Sequence, residues 1–396
     1  ITLINEKKKI LIAQGGGPTM VINKSLVGII EEAKKNNYEI LGSMNGVNGI
    51  VNSKFVELTN IDKKKLYLVE NSPGAALGST RDKPDASYCK KILAILLKKK
   101  INTFFYIGGN DSSDSLRIIA DSNHDMQCVH VPKTIDNDLV LNDHTPGFGS
   151  AAKYVASVFA GINLDINSLP GVYLGVIMGR HAGFLTAASA LLKKKISDGP
   201  HLIYLPESKF SLDNFLSDVN NIFTKKKKCI VAISEGIKFS NGQLVGEKIS
   251  KLNEKDAHGN IQLSGSSILG DYLSNQIKIK LGIKRVRADT LGYAQRSFLG
   301  CVSEIDQKEA KLLGKESIKF SKKYVSSFSM CIEERDANLN TYNIKIGKNK
   351  LIDIGGKTKY MPDNFINTKR NYVSNTFFKY ALPLIGKKIP NFGSLI

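Results

Sequence analysis

Four short segments combine glycine, carboxylate, lysine and arginine in ways that suit the handling of phosphate. In Gln14-Gly15-Gly16-Gly17-Pro18-Thr19 the glycines let backbone N–H groups approach an anion, and a following helix would add its positive end. The segment carries no GK[ST] and is not GxGxxG, and a tight turn without a ligand explains it equally. Gly108-Gly109-Asn110-Asp111-Ser112 sets a carboxylate beside a second such turn. A Mg²⁺ ion shared between carboxylate and phosphate would account for that pairing; Asp111 as a helix N-cap is the plainer alternative. In Pro132-Lys133-Thr134-Ile135-Asp136-Asn137-Asp138 two carboxylates flank a lysine. One carboxylate can accept the proton of an alcohol while the ammonium neutralises a transferring phosphoryl group, although an Asp/Asn-rich turn has the same composition. Met178-Gly179-Arg180-His181-Ala182-Gly183 places an arginine where a helix begins, which also fits a capping turn with a surface Arg and a structural His181.

Each segment follows a short β-branched or aromatic run, and the first, second and fourth lead into a helical pattern. Strands are expected at 9–13, 39–44, 103–107 and 128–131, and helices at 19–35, 87–99 and 111–120, the last capped at Asp111 or Ser112. The second half repeats the style, with strands at 171–177, 202–205 and 230–233 and helices at 182–192 and 211–223. Beyond about 330 the pattern is less regular, with a strand at 342–346 and a helix at 371–384. The alternation implies parallel sheets covered by helices, and ligands then bind beyond the carboxyl ends of the strands. The fold expected is α/β, built of two similar Rossmann-like, three-layer αβα halves.

The composition narrows the function. No apolar run reaches the length of a membrane span, no signal peptide is visible, and five scattered cysteines form no CxxC pair. A cytoplasmic protein with reduced thiols is expected. The formal charge of +20 comes from 48 Lys and only eight Arg, with the lysines in short runs at the ends of apolar segments. That pattern suits helix C-termini and solvated faces better than nucleic-acid recognition, which exploits the arginine fork. In so Arg-poor a chain, each arginine marks a place where its geometry counts.

In combination and in this order, the four segments resemble the phosphofructokinase family. Leu77-Gly78-Ser79-Thr80-Arg81, Ser234-Glu235-Gly236 and Leu291-Gly292-Tyr293-Ala294-Gln295-Arg296 match it too. The resemblance spans about residues 8–300, and the stretches 199–207 and 262–273 are similar to the bacterial pyrophosphate-dependent branch. It implies the phosphofructokinase fold, with an active-site cleft between the halves and a chain that crosses between them more than once. The expected division is 1–149 with about 295–345 as donor (pyrophosphate and Mg²⁺) domain, and 150–294 with about 346–396 as sugar-phosphate domain. The implied reaction is reversible phosphorylation of fructose 6-phosphate by pyrophosphate with Mg²⁺, in a homodimer or homotetramer that binds neither nucleic acid nor membrane. ATP as donor, or sedoheptulose 7-phosphate as acceptor, are the alternatives.

By the same resemblance Asp136 is the catalytic base. Thr134, Asp138, Met178, Gly179, Arg180 and Glu235 contact the sugar phosphate. Arg287, Tyr293 and Arg296 hold its 6-phosphate side, in this family sometimes from a neighbouring subunit. Gly16 and Arg81 contact the diphosphate, and Asn110 and Asp111 hold the metal. ATP-using members resemble GGDGS and PGTIDND; here Asp111 and Lys133 replace the glycines, filling the space of a nucleotide α-phosphate with a carboxylate and supplying a cation at the transferring group. The chain departs from the pattern at Asn110, where many relatives have Asp, and in 171–177, which lacks their Arg and Glu.

Overall fold

The computed structural model describes residues 7–123, 125–250, 265–338 and 341–387. The chain divides into two compact units. The first comprises residues up to Ile135, Leu139–Phe148 and Ile305–Thr358; the second comprises Asp136–Asp138, Gly149–Glu304 and the residues from Lys359 onward.

The first unit is built on a seven-stranded sheet. Its strands are β1 (Lys9–Gln14), β2 (Glu39–Ser43), β3 (Phe55–Glu57), β4 (Thr103–Gly108) and β5 (Gln127–Pro132), with β10 (Phe328–Asn338) and β11 (Thr341–Asn349) from late in the chain. Their order is β11-β10-β5-β4-β1-β2-β3. The strands from β10 to β2 run parallel, and β3 and β11 close the two edges antiparallel. The central strands are continuous apolar runs because both faces are covered; β4 and β5 are buried along their whole length. The second unit holds a four-stranded parallel sheet of β6 (Val172–Ile177), β7 (Leu202–Tyr204), β8 (Cys229–Ser234) and β9 (Val286–Thr290), in the order β7-β8-β6-β9. Each sheet has its own core. Ile10, Ile12, Phe105, Val129 and Met330 belong to the first, and Val172, Leu174, Val231, Ile233 and Phe215 to the second.

The lysine runs behave as the composition suggests. The Leu212–Lys226 helix is capped by Ser211 Oγ, which accepts from Asn214 N, and carries Lys225 and Lys226 in its last turn, where the helix's negative end favours cations. Several boundaries differ from expectation. The first helix starts at Ile22, since Thr19 Oγ1 accepts from Val21 N and ties 19–21 into a turn. The helix expected at 182–192 shrinks to Phe184–Ala187 and a 3₁₀ turn, Ala188–Ala190, where Ser189 Oγ donates to the Thr186 carbonyl. The helix expected from 371 begins at Asn375, because the Asn371 carbonyl accepts from Ile203 N of β7. The expected 342–346 strand is the middle of β11, half of a long antiparallel pair with β10. Part of the 262–273 stretch lies outside the described residues; its remainder enters the Ile268–Leu281 helix.

Candidate active site

Parallel strands bring their carboxyl ends to one edge, and most of the residues singled out from the sequence lie there. In the first unit Gln14 pairs with Ile107 and Gly108 with Pro132, so the Gly15–Gly17 turn, Gly109–Asp111 and Lys133 leave adjacent strands at the same level. Gly15 donates to the Ile107 carbonyl and Gly16 to the Thr80 carbonyl, which ties the turn to the neighbouring segments. Gly16 has φ +73°, and a Cβ there would stand 3.3 Å from Lys133 Nζ. Lys133 is 3% exposed and donates from Nζ to the Gly17 carbonyl at 2.6 Å. The 77–81 segment lies against the same turn through Ser79 Oγ, which donates to the Gly16 carbonyl at 2.6 Å, and it carries the exposed Arg81.

Asp111 is not the helix cap. The Asn110–Ser122 helix has Gly109 at its cap position with no side-chain bond, and Asp111 lies in the first turn, where the helix's positive end favours a carboxylate. Its Oδ1 faces Lys83 Nζ at 3.3 Å, and both side chains are exposed. Asp111 and the neighbouring Asn110 amide offer hard oxygen donors at one helix end. Among the described residues no group of three or more His, Cys, Asp or Glu is placed to hold a metal ion. A donor set this sparse fits a cation that keeps waters and takes further ligands from phosphate, as Mg²⁺ does.

Beneath this corner His130 of β5 is fully buried between Ser329 Oγ at 2.8 Å and the Gly108 carbonyl at 2.9 Å. A carbonyl only accepts, so Nε2 carries the proton. Burial, aided by the nearby Lys133 charge, lowers its pKa to about 4 and keeps the ring neutral.

The chain passes into the second unit between Ile135 and Asp136. Asp136 and Asp138 are half-buried on either side of Asn137, which adopts φ +58° and donates to Tyr380 Oη at 2.7 Å. Lys359 N donates to the Asp138 carbonyl at 2.7 Å. In the sheet of this unit Ile177 pairs with Ser234 and Val176 with Thr290, so Met178–Arg180, Glu235 and the 291–296 segment leave the strands at one edge. Gly179 has φ +138°, and a Cβ there would stand 2.6 Å from the Ala182 carbonyl. Ser234 Oγ donates to the Gly179 carbonyl at 2.6 Å, and Met178 N donates to Gln295 Oε1 at 3.3 Å. Arg180 is half-buried and pairs with Glu247 Oε1 at 2.8 Å. The Arg296 guanidinium lies 4.9 Å from the centre of the Tyr293 ring. Arg287 is not brought to this edge. It pairs with Tyr173 near the start of β6, roughly 16 Å along the strand from Met178, and is exposed.

Sequence reasoning missed Lys83 and Glu247, the ion-pair partners of Asp111 and Arg180. Neither stands in a motif, so no local signal marks them. Ser234 and Gln295 lie inside motifs already noted, but their bracing roles emerge only from the fold.

Two sheets whose loops gather such residues at their carboxyl ends define an α/β protein of the phosphate-handling kind. The phosphofructokinase family model matches residues 9–321, and the chain belongs to the phosphofructokinase family. A protein of Rhodospirillum rubrum named pyrophosphate–fructose 6-phosphate 1-phosphotransferase is 50% identical over 391 residues, covering 97% of this chain and 96% of its own. A protein of the same name from Xanthomonas campestris pv. campestris is 32% identical over 395 residues, covering 96% of this chain and 92% of its own. The crystal structure of a pyrophosphate-dependent phosphofructokinase from Marinobacter aquaeolei superposes with a TM-score of 0.83 at 28% identity, covering 98% of this chain and 94% of that one.

Proposed function

We propose that the chain transfers a phosphoryl group from inorganic pyrophosphate to the 1-hydroxyl of fructose 6-phosphate, giving phosphate and fructose 1,6-bisphosphate, reversibly. The supporting comparisons are full-length relatives bearing the name of that reaction. The observation that carries the choice of donor is the Lys133 side chain, buried and laid across the glycine turn with its ammonium beside Gly16. The Asp111 carboxylate would fill the space that a nucleotide donor needs for its α-phosphate and repel it, while the Lys133 ammonium would serve the transferring group.

In this reading the first unit is the donor domain, with Gly16 and Arg81 on the diphosphate. The second is the sugar-phosphate domain, with Asp138, Met178, Gly179, Arg180, Glu235, Tyr293 and Arg296 on the acceptor, joined by Thr134 from the first. Asp136 accepts the proton of the 1-hydroxyl as that oxygen bonds to phosphorus. The bridging P–O bond breaks, its electron pair leaves with phosphate, and Lys133 balances charge on the transferring group. In reverse Asp136 returns the proton. Asn110 and Asp111 would hold Mg²⁺, which when bound neutralises the phosphate oxygens. We read the protein as a cytoplasmic homodimer or homotetramer. In support, no helix among the described residues is long and apolar enough to cross a membrane, and Arg287 stands away from the acceptor loops of its own chain, free to serve a neighbour's.

Initial rates on fructose 6-phosphate with pyrophosphate and with ATP, each with and without Mg²⁺, test the reading. Pyrophosphate should support turnover and ATP should not, and the double variant Asp111→Gly/Lys133→Gly should lose pyrophosphate use by at least about tenfold. Comparable wild-type rates with ATP, or an unchanged double variant, would sink it.

A further inference from the structure

The loop after the Lys133–Asp138 segment carries a buried ionic cluster. His144 is 1% exposed. Its Nδ1 donates to Asp143 Oδ2 and its Nε2 to Glu309 Oε2, both at 2.7 Å. Ionised carboxylates only accept, so both ring nitrogens carry protons and the ring is an imidazolium. Arg335 of β10 approaches Asp143 Oδ2 from Nε at 2.9 Å, and Tyr342 of β11 donates to the other oxygen of Glu309 at 2.6 Å. The two carboxylates and two cations sum to zero, whereas a neutral imidazole would leave a buried negative charge.

This cluster fixes what lies next to it. Asp306, one turn before Glu309, accepts from Gly147 N at 2.8 Å. The Pro146 carbonyl accepts from Thr134 N at 3.2 Å, and Gly147 forms a parallel bridge with Thr134. Gly147 has φ +111°, and a Cβ there would meet Thr19 Cγ2 at 2.9 Å and the Thr134 carbonyl at 3.0 Å. The 143–147 loop is therefore the seat of Thr134.

We propose that His144 is a positioning residue for the phosphoryl transfer: its charged ring clamps the 143–147 loop to the Glu304–Lys323 helix and β10, and so fixes Thr134 and the adjoining Lys133 and Asp136. The inference rests on the activity proposed above. Burial works against the charge on His144, but the Glu309 carboxylate and the bonds to Asp143 and Glu309 outweigh it, with Arg335 opposing, and the net pKa is raised. A raised value keeps the clamp closed below the unfolded pKa and opens it as pH rises through the folded one.

Two variants of the full chain, Glu309→Gln and His144→Gln, test this. With Glu309→Gln the imidazolium loses one counter-charge, so the alkaline limb of kcat should move down by about one pH unit, with KM for both substrates changed less than about threefold. With His144→Gln kcat should fall about tenfold or more, since the seat of the reacting loop shifts. Histidine NMR should show the wild-type ring still charged at pH 7 and losing its proton earlier in Glu309→Gln. Folded variants with wild-type kcat and an unmoved limb would overturn the proposal, as would a neutral His144 at pH 6. If His144→Gln fails to fold, Glu309→Gln and the titration decide. If the wild-type chain does not use pyrophosphate, the activity reading fails by itself. The titration, with amide exchange at Thr134 and Gly147 faster by about tenfold in Glu309→Gln, still judges the clamp.

Discussion

The loop edges of the two sheets are built on opposite plans. At the first, the key cation is buried: Lys133 is pinned to the Gly17 carbonyl above a neutral His130 that holds the Gly108 carbonyl. At the second, the cations are half-buried guanidiniums: Arg180 on Glu247 and Arg296 over the Tyr293 ring. A small, symmetric diphosphate needs a fixed, desolvated cradle, where electrostatic stabilisation is strongest. A sugar phosphate needs planar forks that can orient several oxygens and adjust as it enters. On the proposed reading, the contrast assigns binding of the acceptor and stabilisation of the transfer to different chemistry as well as different sequence.

The sharpest way to break that contrast is at Asp136 and Lys133. Asp136→Asn should lower kcat by about 10²–10⁴ with KM for the sugar phosphate little changed, and Lys133→Met by about 10² or more. Steady-state kinetics in both directions checks this, and a variant at Asp136 keeping more than a tenth of the wild-type kcat would remove its assigned role. At the second corner the expected effects are on binding. Arg180→Met should raise KM for fructose 6-phosphate by about 10–100-fold, and Glu247→Gln, which only frees the guanidinium from its orienting carboxylate, by about 3–10-fold. A fall in kcat in place of these KM shifts would dissolve the distinction.

The smallest effect concerns acid stability, where the two units should behave alike. Each buries one neutral histidine: His130 in the first and His201 in the second, whose Nδ1 accepts from Ile230 N at 2.9 Å. Burial lowers both pKa values from 6.5 to about 4. The unfolded chain takes up these protons before the folded one does, so stability is intact above about pH 6.5 and lost as pH falls toward 4, by roughly 3 kcal/mol per group at the acid end. Unfolding midpoints between pH 7 and 4 should drop more gently in His201→Gln than in the wild type, and parallel curves would show that His201 contributes nothing.

Much of this was legible because strand, glycine turn and carboxylate or cation recur in fixed order. Lys133, Asp136, Arg180 and Glu235 all follow strands whose apolar runs announce burial on both faces. β10 was not legible. Its Cys331-Ile332-Glu333-Glu334-Arg335-Asp336 run breaks the alternation expected of a half-buried strand, and only pairing with β5 and β11 makes sense of it. Nor could the ion pairs be foreseen. Glu247 lies 67 residues from Arg180, and spacing of that kind is set by packing, with no trace in local pattern. Arg287 is the instructive case: its residue type marked it, but its level on β9 shows that one chain does not bring it to the edge where Met178–Arg180 and Glu235 leave their strands.

The chain is threaded back and forth between the two units. It changes unit five times, after Ile135, Asp138, Phe148, Glu304 and Thr358. A single cut or a single splice therefore cannot exchange one half for a relative's. A chimera that aims to combine one member's donor preference with another's sugar preference has to graft non-contiguous pieces. One of these is the tripeptide Asp136-Asn137-Asp138, so a junction between Ile135 and Asp136 would part the proposed base from Lys133, three residues before it.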